Sequence, residues 1–411
     1  MLGRTTTSYT ARGLTSPRPM TGRPRSLLAR AFARNSALRH MDWLLTVVVL
    51  ALSAIGILLV WSATQPSLQA AGADPRTYLK KQLLNVVIGL VLMTVVSLAD
   101  TRQLRSWAPA FYGITILGLA AVLSPIGTSV NGAKAWINLP GGFQVEPSEF
   151  AKVALVVMMA MVFSQVRGTD KGVPGLRALG LALLCAAPLI GLVVIEPALG
   201  VALVLVAVTA TLVVLSGLRL RIVAALVVAV GLVIAVAGGL NLLKSYQLTR
   251  FTSFLHPGND LAGSGYNAAQ AKIAVGSGGM FGQGLFHGQL VAGNFVPSQQ
   301  TDFIFTVAGE ELGFAGTIVI VALLGVVILR ALRIASRADD LFGLLVASGI
   351  AMWFTFQSFV NIGMTIGIMP ITGLPLPFVS YGGSAVFADM IAIGLLQSVH
   401  RRHRLFELQR R

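Results

Sequence analysis

The chain has 411 residues, 55% hydrophobic and 11% charged, with a mean hydropathy of +0.79 and a formal net charge of +16. A soluble domain averages about a quarter charged residues, so a soluble fold is excluded and a polytopic membrane protein is indicated. A single cysteine, Cys185, excludes a disulfide framework; five histidines without metal-type spacing give no zinc or haem signal; and basic residues gathered in short loops and tails argue against nucleic acid as a partner.

Residues 1–40 are rich in Arg, Ser, Thr and Pro and read as a basic, disordered cytoplasmic tail. Within it, residues 26–39 fit either a basic amphipathic helix on the lipid surface or a plain positive-inside anchor. A window of about 20 apolar residues per span then predicts about ten transmembrane helices, at 43–62, 82–98, 107–123, 150–165, 178–195, 199–216, 222–240, 303–329, 341–366 and 384–399. The fold class is all-α, with a membrane domain over 41–400 and a basic cytoplasmic tail at 401–411. An even number of spans places both termini on one side, and that side carries about 23 of the 31 Lys and Arg residues, which makes it cytoplasmic. On the other side the loops 124–149 and 242–302 are long. A loop of that length is usually functional or partly ordered, and NAAQAKIAV at 267–275 reads as a short helix on the membrane surface.

Three groups of residues are candidates for chemistry. Asp302 opens the eighth span, where it serves either as a helix cap or as a reacting acid. Extended as a helix from Asp302, Glu310 lies about 12 Å along the axis and about 80° round, with Glu311 nearly opposite; both carboxylates need polar partners on neighbouring helices. The cations Lys134, Lys152, Arg250 and Lys272 share the side of Asp302 and fit either phosphate oxygens or lipid headgroups. Gly276, Gly278, Gly279, Gly282 and Gly284 bring backbone close to something or let the loop turn sharply. PITGLPLPFVSYGGS at 370–384 cannot be helical before Gly383, and irregular backbone near a membrane lines a cavity or is buried in protein.

Five stretches, NGAKAWI at 131–137, EPSEFAK at 146–152, the loop 246–284 containing GYNAAQAKIAVGSGG, TDFIFTVAGEELG at 301–313 and GLPLPFVSYGGS at 373–384, resemble in order and spacing the SEDS family (shape, elongation, division and sporulation). These are polytopic glycosyltransferases that polymerise peptidoglycan from lipid II. The resemblance covers nearly everything from Asp42 to Val399. MDWLL at 41–45 and ITGLPLPFVSYGG at 371–383 are more similar to its elongation branch, which serves cell shape, than to its division branch.

The resemblance implies that Asp302 is the catalytic aspartate, with Lys152, Arg250, Lys134 and Lys272 binding substrate. It implies structural support from Glu310, Glu311, Trp136, Glu149, Ser380, Tyr381 and Gly382. The implied reaction is attack of an acceptor GlcNAc hydroxyl on a donor MurNAc, with Asp302 as general base and the cations stabilising the departing diphosphate. No cofactor is certain; a divalent ion, Mg or Mn, would be held by the lipid II diphosphate and Asp302. The implied partners are lipid II, a class B penicillin-binding protein that supplies crosslinking, and membrane lipid, at a bacterial plasma membrane with the active site facing outside.

The sequence departs from the family's pattern at three places. Ala135 stands where the family commonly has Arg, Ala198 where it has Asp, and Gln300 where His is frequent. The first two fit the joint loss of an ion pair, since losing one buried partner alone is costly. Two other readings suit a polytopic chain: a lipid II flippase, which needs a polar path to both faces, and a non-catalytic scaffold, which needs no acid and cations at one mouth.

Overall fold

The structure is a computed structural model that describes residues 41–410 apart from 131–132, 140–142, 170–175, 218–220 and 222–262. The tail 1–40, the span expected over 222–240 and Arg250 lie outside the described residues.

Among the described residues, eight helices are long and apolar enough to cross a membrane. They are α1 (Trp43–Ala70), α2 (Thr77–Leu98), α3 (Thr101–Leu123), α4 (Pro147–Thr169), α5 (Leu176–Ile195), α9 (Ile304–Ser336), α10 (Leu341–Ile366) and α11 (Gly383–Arg410). A shorter apolar helix, α6 (Leu199–Leu215), and two helices of the long loop, α7 (Ser264–Ser277) and α8 (Gln289–Ala292), complete the described set. The chain is a multi-pass membrane protein. The surface helix expected at 267–275 is α7, extended at both ends, and the segment 371–382 is irregular until α11 starts at Gly383, as its prolines and glycines require.

The loop 124–149 differs from the all-helical expectation. It folds as a three-stranded antiparallel sheet of β1 (Gly127–Val130), β2 (Ala133–Leu139) and β3 (Phe143–Val145), in the order β1-β2-β3. Thr128 pairs with Trp136 and Ser129 with Lys134, with a bulge between them. The alternation in AKAWINL carries the period of a strand, and β3 runs directly into α4.

Helices α4, α10 and α11 are mostly buried among the others, whereas α3 and α9 turn much of their surface to lipid. The strongest packing joins α11 to α2, α9 to α10, and α3 to α4. At the end nearest residue 41, Asp42 caps α1 by accepting from Leu45 N at 3.1 Å, and Arg330 Nε donates to its carboxylate at 2.8 Å. Gln397 ties that turn to α11, accepting from Asp42 N at 2.8 Å and donating to Asp42 O at 2.9 Å.

Helix α9 is the irregular one. Gly313 has φ 67° and ψ −167° within it, which breaks the helix into a short first piece and a span from Phe314. The span then has about 23 residues and is roughly 35 Å long, a fit to the hydrocarbon thickness. Backbone groups freed by the break find partners in the loop after α7. Gln283 N donates to Glu310 O at 2.9 Å and Gly284 N to Glu311 O at 3.0 Å. Phe314 N donates to Gly279 O at 2.9 Å and Ala315 N to Met280 O at 3.0 Å. Irregular backbone at this depth is tolerated because protein satisfies it. The glycine-rich loop thus serves close backbone packing: a Cβ on Gly278 would lie 1.9 Å from Gly309 O, and one on Gly282 2.2 Å from Glu311 O.

Candidate active site

Glu310 and Glu311 sit just before the break, not within the hydrocarbon-spanning piece. Glu310 accepts from the amides of Leu290 and Val291, the first turn of α8, at 2.7 and 3.0 Å. Ser62 of α1 donates its hydroxyl to Glu311 at 2.5 Å and accepts from Phe286 N at 3.0 Å. Both glutamates therefore fasten the long loop to α9 and α1.

Asp302 does not begin the helix. It lies in a turn, Ile304 is the first helical residue, and the cap position falls on Phe303, whose side chain makes no cap bond. The helical-face geometry expected from Asp302 onward therefore starts two residues late. Three consecutive carbonyls of this turn are each held from outside. Gln300 O accepts from Tyr381 N at 2.9 Å, Thr301 O from the Ser380 hydroxyl at 2.6 Å, and Asp302 O from Asn361 Nδ2 at 2.7 Å. The half-buried carboxylate of Asp302 faces Gly373, where a Cβ would lie 3.5 Å from Oδ2. Gly373 has φ 72°, a conformation that disfavours any side chain there.

The loop 373–381 is built to stay in place. Ser380 Oγ also accepts from Leu376 N at 2.7 Å, and Ser380 O accepts from Gln82 Nε2 at 3.2 Å. Tyr381 packs edge-on against Tyr78 with ring centres 5.0 Å apart, and burial, then Tyr78, push its hydroxyl up to about 12. Gly382 O accepts from Val386 N at 3.0 Å at the start of α11.

Of the four cations, Lys134, Lys152 and Lys272 are among the described residues, and each has different surroundings. Lys152 has no exposed surface: its ammonium donates to Glu149 at 2.8 Å and to Gln357 Oε1 at 2.8 Å, and lies 4.8 Å from the Trp353 ring centre. Its ammonium is thus engaged inside the bundle by Glu149, Gln357 and the Trp353 ring, and is not presented on the surface. Lys134 is also engaged by protein groups. It donates to Leu123 O and Ser124 O at 3.4 and 2.7 Å, satisfying the last carbonyls of α3. Trp136, its neighbour on β2, is half-buried, with its carbonyl held by Thr128 Oγ1 at 3.1 Å. Lys272 remains exposed on α7, lying over Gly367 at the end of α10, while the same helix packs Ala271 and Ala274 against Phe303 and Ile371, neighbours of Asp302 and Gly373.

Two further acids, Glu146 and Glu196, lie near one another, and Glu146 lies near Asp302. Glu146 joins β3 to α4, accepts from the Ser148 hydroxyl at 2.9 Å, and donates its own amide to Ser384 Oγ at 2.8 Å. Burial first, then Glu149 and Asp302, raise its carboxyl to about 8. Glu196, in the turn between α5 and α6, is buried with neither carboxyl oxygen hydrogen-bonded. Burial and the nearby Glu146 raise it to about 8 as well. Ala135 is buried on β2, and Ala198, half-buried, stands at the cap of α6 without a capping side chain. Gln357 and Asn361 were missed altogether. Their signal was present in the sequence, as amides four residues apart within an apolar span are costly there unless they have a use.

No group of three or more His, Cys, Asp or Glu residues suited to a metal occurs among the described residues.

A family model described as "Cell cycle protein", for FtsW, RodA and SpoVE, matches residues 42–405. Among curated relatives, the probable peptidoglycan glycosyltransferase FtsW of Trichlorobacter lovleyi is 38% identical over 88% of this chain and 93% of its own length. The peptidoglycan glycosyltransferase MrdB of Escherichia coli K12 is 37% identical over 89% of this chain and 95% of its own. Among solved structures, one described as "Structural coordination of polymerization and crosslinking by a peptidoglycan synthase complex" matches with a TM-score of 0.73 and 32% identity, over 88% of this chain and 98% of that one. The crystal structure of the rod shape determining protein RodA of Thermus thermophilus matches with a TM-score of 0.63 and 30% identity, over 88% and 97%.

Proposed function

The chain belongs to the FtsW/RodA/SpoVE family of cell cycle proteins, the SEDS family, and from that premise we propose that it is a peptidoglycan glycosyltransferase that polymerises lipid II, with Asp302 as general base. The observation that carries the reading is the placement of Asp302. Its carboxylate is half-buried against bare backbone at Gly373, and its own main chain is fixed by Asn361. A sugar hydroxyl is a weak nucleophile near neutral pH, and a positioned base is worth typically 10²–10⁴-fold.

In this reading the acceptor GlcNAc C4 hydroxyl attacks the anomeric carbon of the donor MurNAc. Asp302 takes the hydroxyl proton, and undecaprenyl diphosphate leaves. Lys272, together with Arg250, meets the departing charge. A bound Mg²⁺ or Mn²⁺ would supply Lewis-acid stabilisation of the same diphosphate. The polyprenyl chains lie among the lipid-facing helices. The face bearing Asp302 is outside and both termini are cytoplasmic, by the distribution of Lys and Arg. Crosslinking is left to a class B penicillin-binding protein; the synthase complex among the similar structures supports an assembly of that kind.

Service in cell elongation is the narrower reading, supported by MDWLL at 41–45 and by the RodA and MrdB relatives. The FtsW relative at 38% identity favours a division role as the second. The experiment is polymerisation of lipid II by the purified protein with its cognate penicillin-binding protein, for wild type and Asp302→Asn. Polymer from wild type and none from a well-folded variant is expected. Equal polymer from both removes the base, and none from either turns the reading toward a flippase or a scaffold.

A further inference from the structure

We infer that Asn361, supported by Gln357 one helical turn before it, is a positioning residue that sets where the Asp302 carboxylate stands; this rests on the polymerase reading above. Trp353, Gln357 and Asn361 lie on one stripe of α10, each without exposed surface. Asn361 Nδ2 donates to Asp302 O at 2.7 Å and to Leu374 O at 2.6 Å. One nitrogen thus joins the turn that bears the acid to the loop that faces it. Gln357 Nε2 donates to the next carbonyl of that loop, Pro375 O, at 2.8 Å. The oxygen of Gln357 is in turn held by Lys152 and by Trp353 Nε1, at 2.8 and 2.7 Å.

Lys152 therefore acts on the site through an amide relay, from its ammonium to Gln357 and on to the loop at Pro375, with Asn361 holding the adjacent carbonyl. Both side chains have their orientation fixed by what they touch: Asn361 donates to two carbonyls, and Gln357 accepts from two donors. No regular helix holds Asp302, since it precedes the first helical residue of α9. Its position depends on tertiary contacts, and its carbonyl accepts from Asn361. Two apolar helices could pack without buried amides, and intramembrane polar groups are retained mainly where they have a function. Misplacing a reacting group by about 1 Å costs roughly 10²-fold in rate.

The test uses the full-length protein with its penicillin-binding partner and lipid II, and compares wild type, Asp302→Asn, Asn361→Leu and Asn361→Ser. Leu keeps the volume and removes both donors; Ser is smaller and keeps one short donor, so it carries the test if Leu does not fold. The expected result for the Asn361 variants is a turnover about 100-fold below wild type, with half-saturating lipid II within about threefold, in protein that is still folded at the assay temperature. A folded Asn361 variant whose turnover stays within threefold of wild type overturns the inference, as does one whose loss lies in half-saturation alone. The two readings fail separately: if Asp302→Asn polymerises normally, the general base falls and the positioning role with it. If Asp302→Asn is inactive and the Asn361 variants are not impaired, only the positioning role falls.

Discussion

The ammonium of Lys152 lies 2.8 Å from the side-chain oxygen of Gln357 and 2.8 Å from Glu149, on a residue with no exposed surface. Removing one partner of such a buried pair leaves the other charge uncompensated, at about 3–5 kcal/mol. Lys152→Met is expected to lose stability of that order, and Lys152→Met with Glu149→Leu to recover most of it. Denaturant unfolding in detergent micelles checks both. Half-saturating lipid II in the folded double variant stays near wild type; a tenfold rise would return Lys152 to the substrate.

The break at Gly313 makes a sharp contrast among glycines that look alike in the sequence. Gly278→Ala and Gly282→Ala would drive a Cβ to 1.9 and 2.2 Å from carbonyl oxygens of α9, whereas a Cβ on Gly276 meets nothing within 4 Å. The first two substitutions are expected to abolish monodisperse protein in size-exclusion chromatography. Gly276→Ala is expected to stay within about 1 kcal/mol of wild type, the scale of the Gly–Ala difference in a helix.

Hydropathy alone made most of the membrane spans legible, because about 20 apolar residues have few other uses. The irregular segment 371–382 was equally legible, since proline and glycine forbid a helix there. Two features were not. The sheet over Gly127–Val145 is short and sits in a loop, where the strand period of AKAWINL is too brief to decide the outcome without its pairing to β1 and β3. The fate of Lys152 was hidden because its partners come from 3 residues and 205 residues away along the chain. The motif EPSEFAK placed it near the mouth, and only the packing of α4 on α10 shows that it points inward.

Glu146 and Glu196 predict a definite slope of stability with pH. Their carboxyls stand at about 8 in the folded protein against 4.5 in the unfolded chain. Between these values the folded state binds more protons, so stability is full below about 4.5 and is lost as pH rises through 8. Thermal midpoints of the wild type are expected to fall from pH 5 to pH 9. In Glu196→Gln the fall should shrink, with the variant gaining on wild type most at pH 9. An identical slope in both would mean that Glu196 does not carry its proton in the folded state.

Lys272 and Lys134 carry the same charge on the same face and should behave oppositely. Lys272 is exposed beside the residues that flank Asp302, whereas Lys134 is committed to the carbonyls of Leu123 and Ser124. A charge-assisted bond to a phosphate is worth about 1.5–3 kcal/mol. Lys272→Gln is therefore expected to raise half-saturating lipid II by about tenfold or more and to weaken its dependence on salt. Lys134→Gln should leave half-saturation alone and lower the thermal midpoint, because the last turn of α3 loses its donor. Lipid II titrations of both variants at two ionic strengths separate the cases. If Lys134 and Lys272 weaken lipid II equally, the carbonyl bonds of Lys134 must give way when substrate arrives, and β2 must move with them.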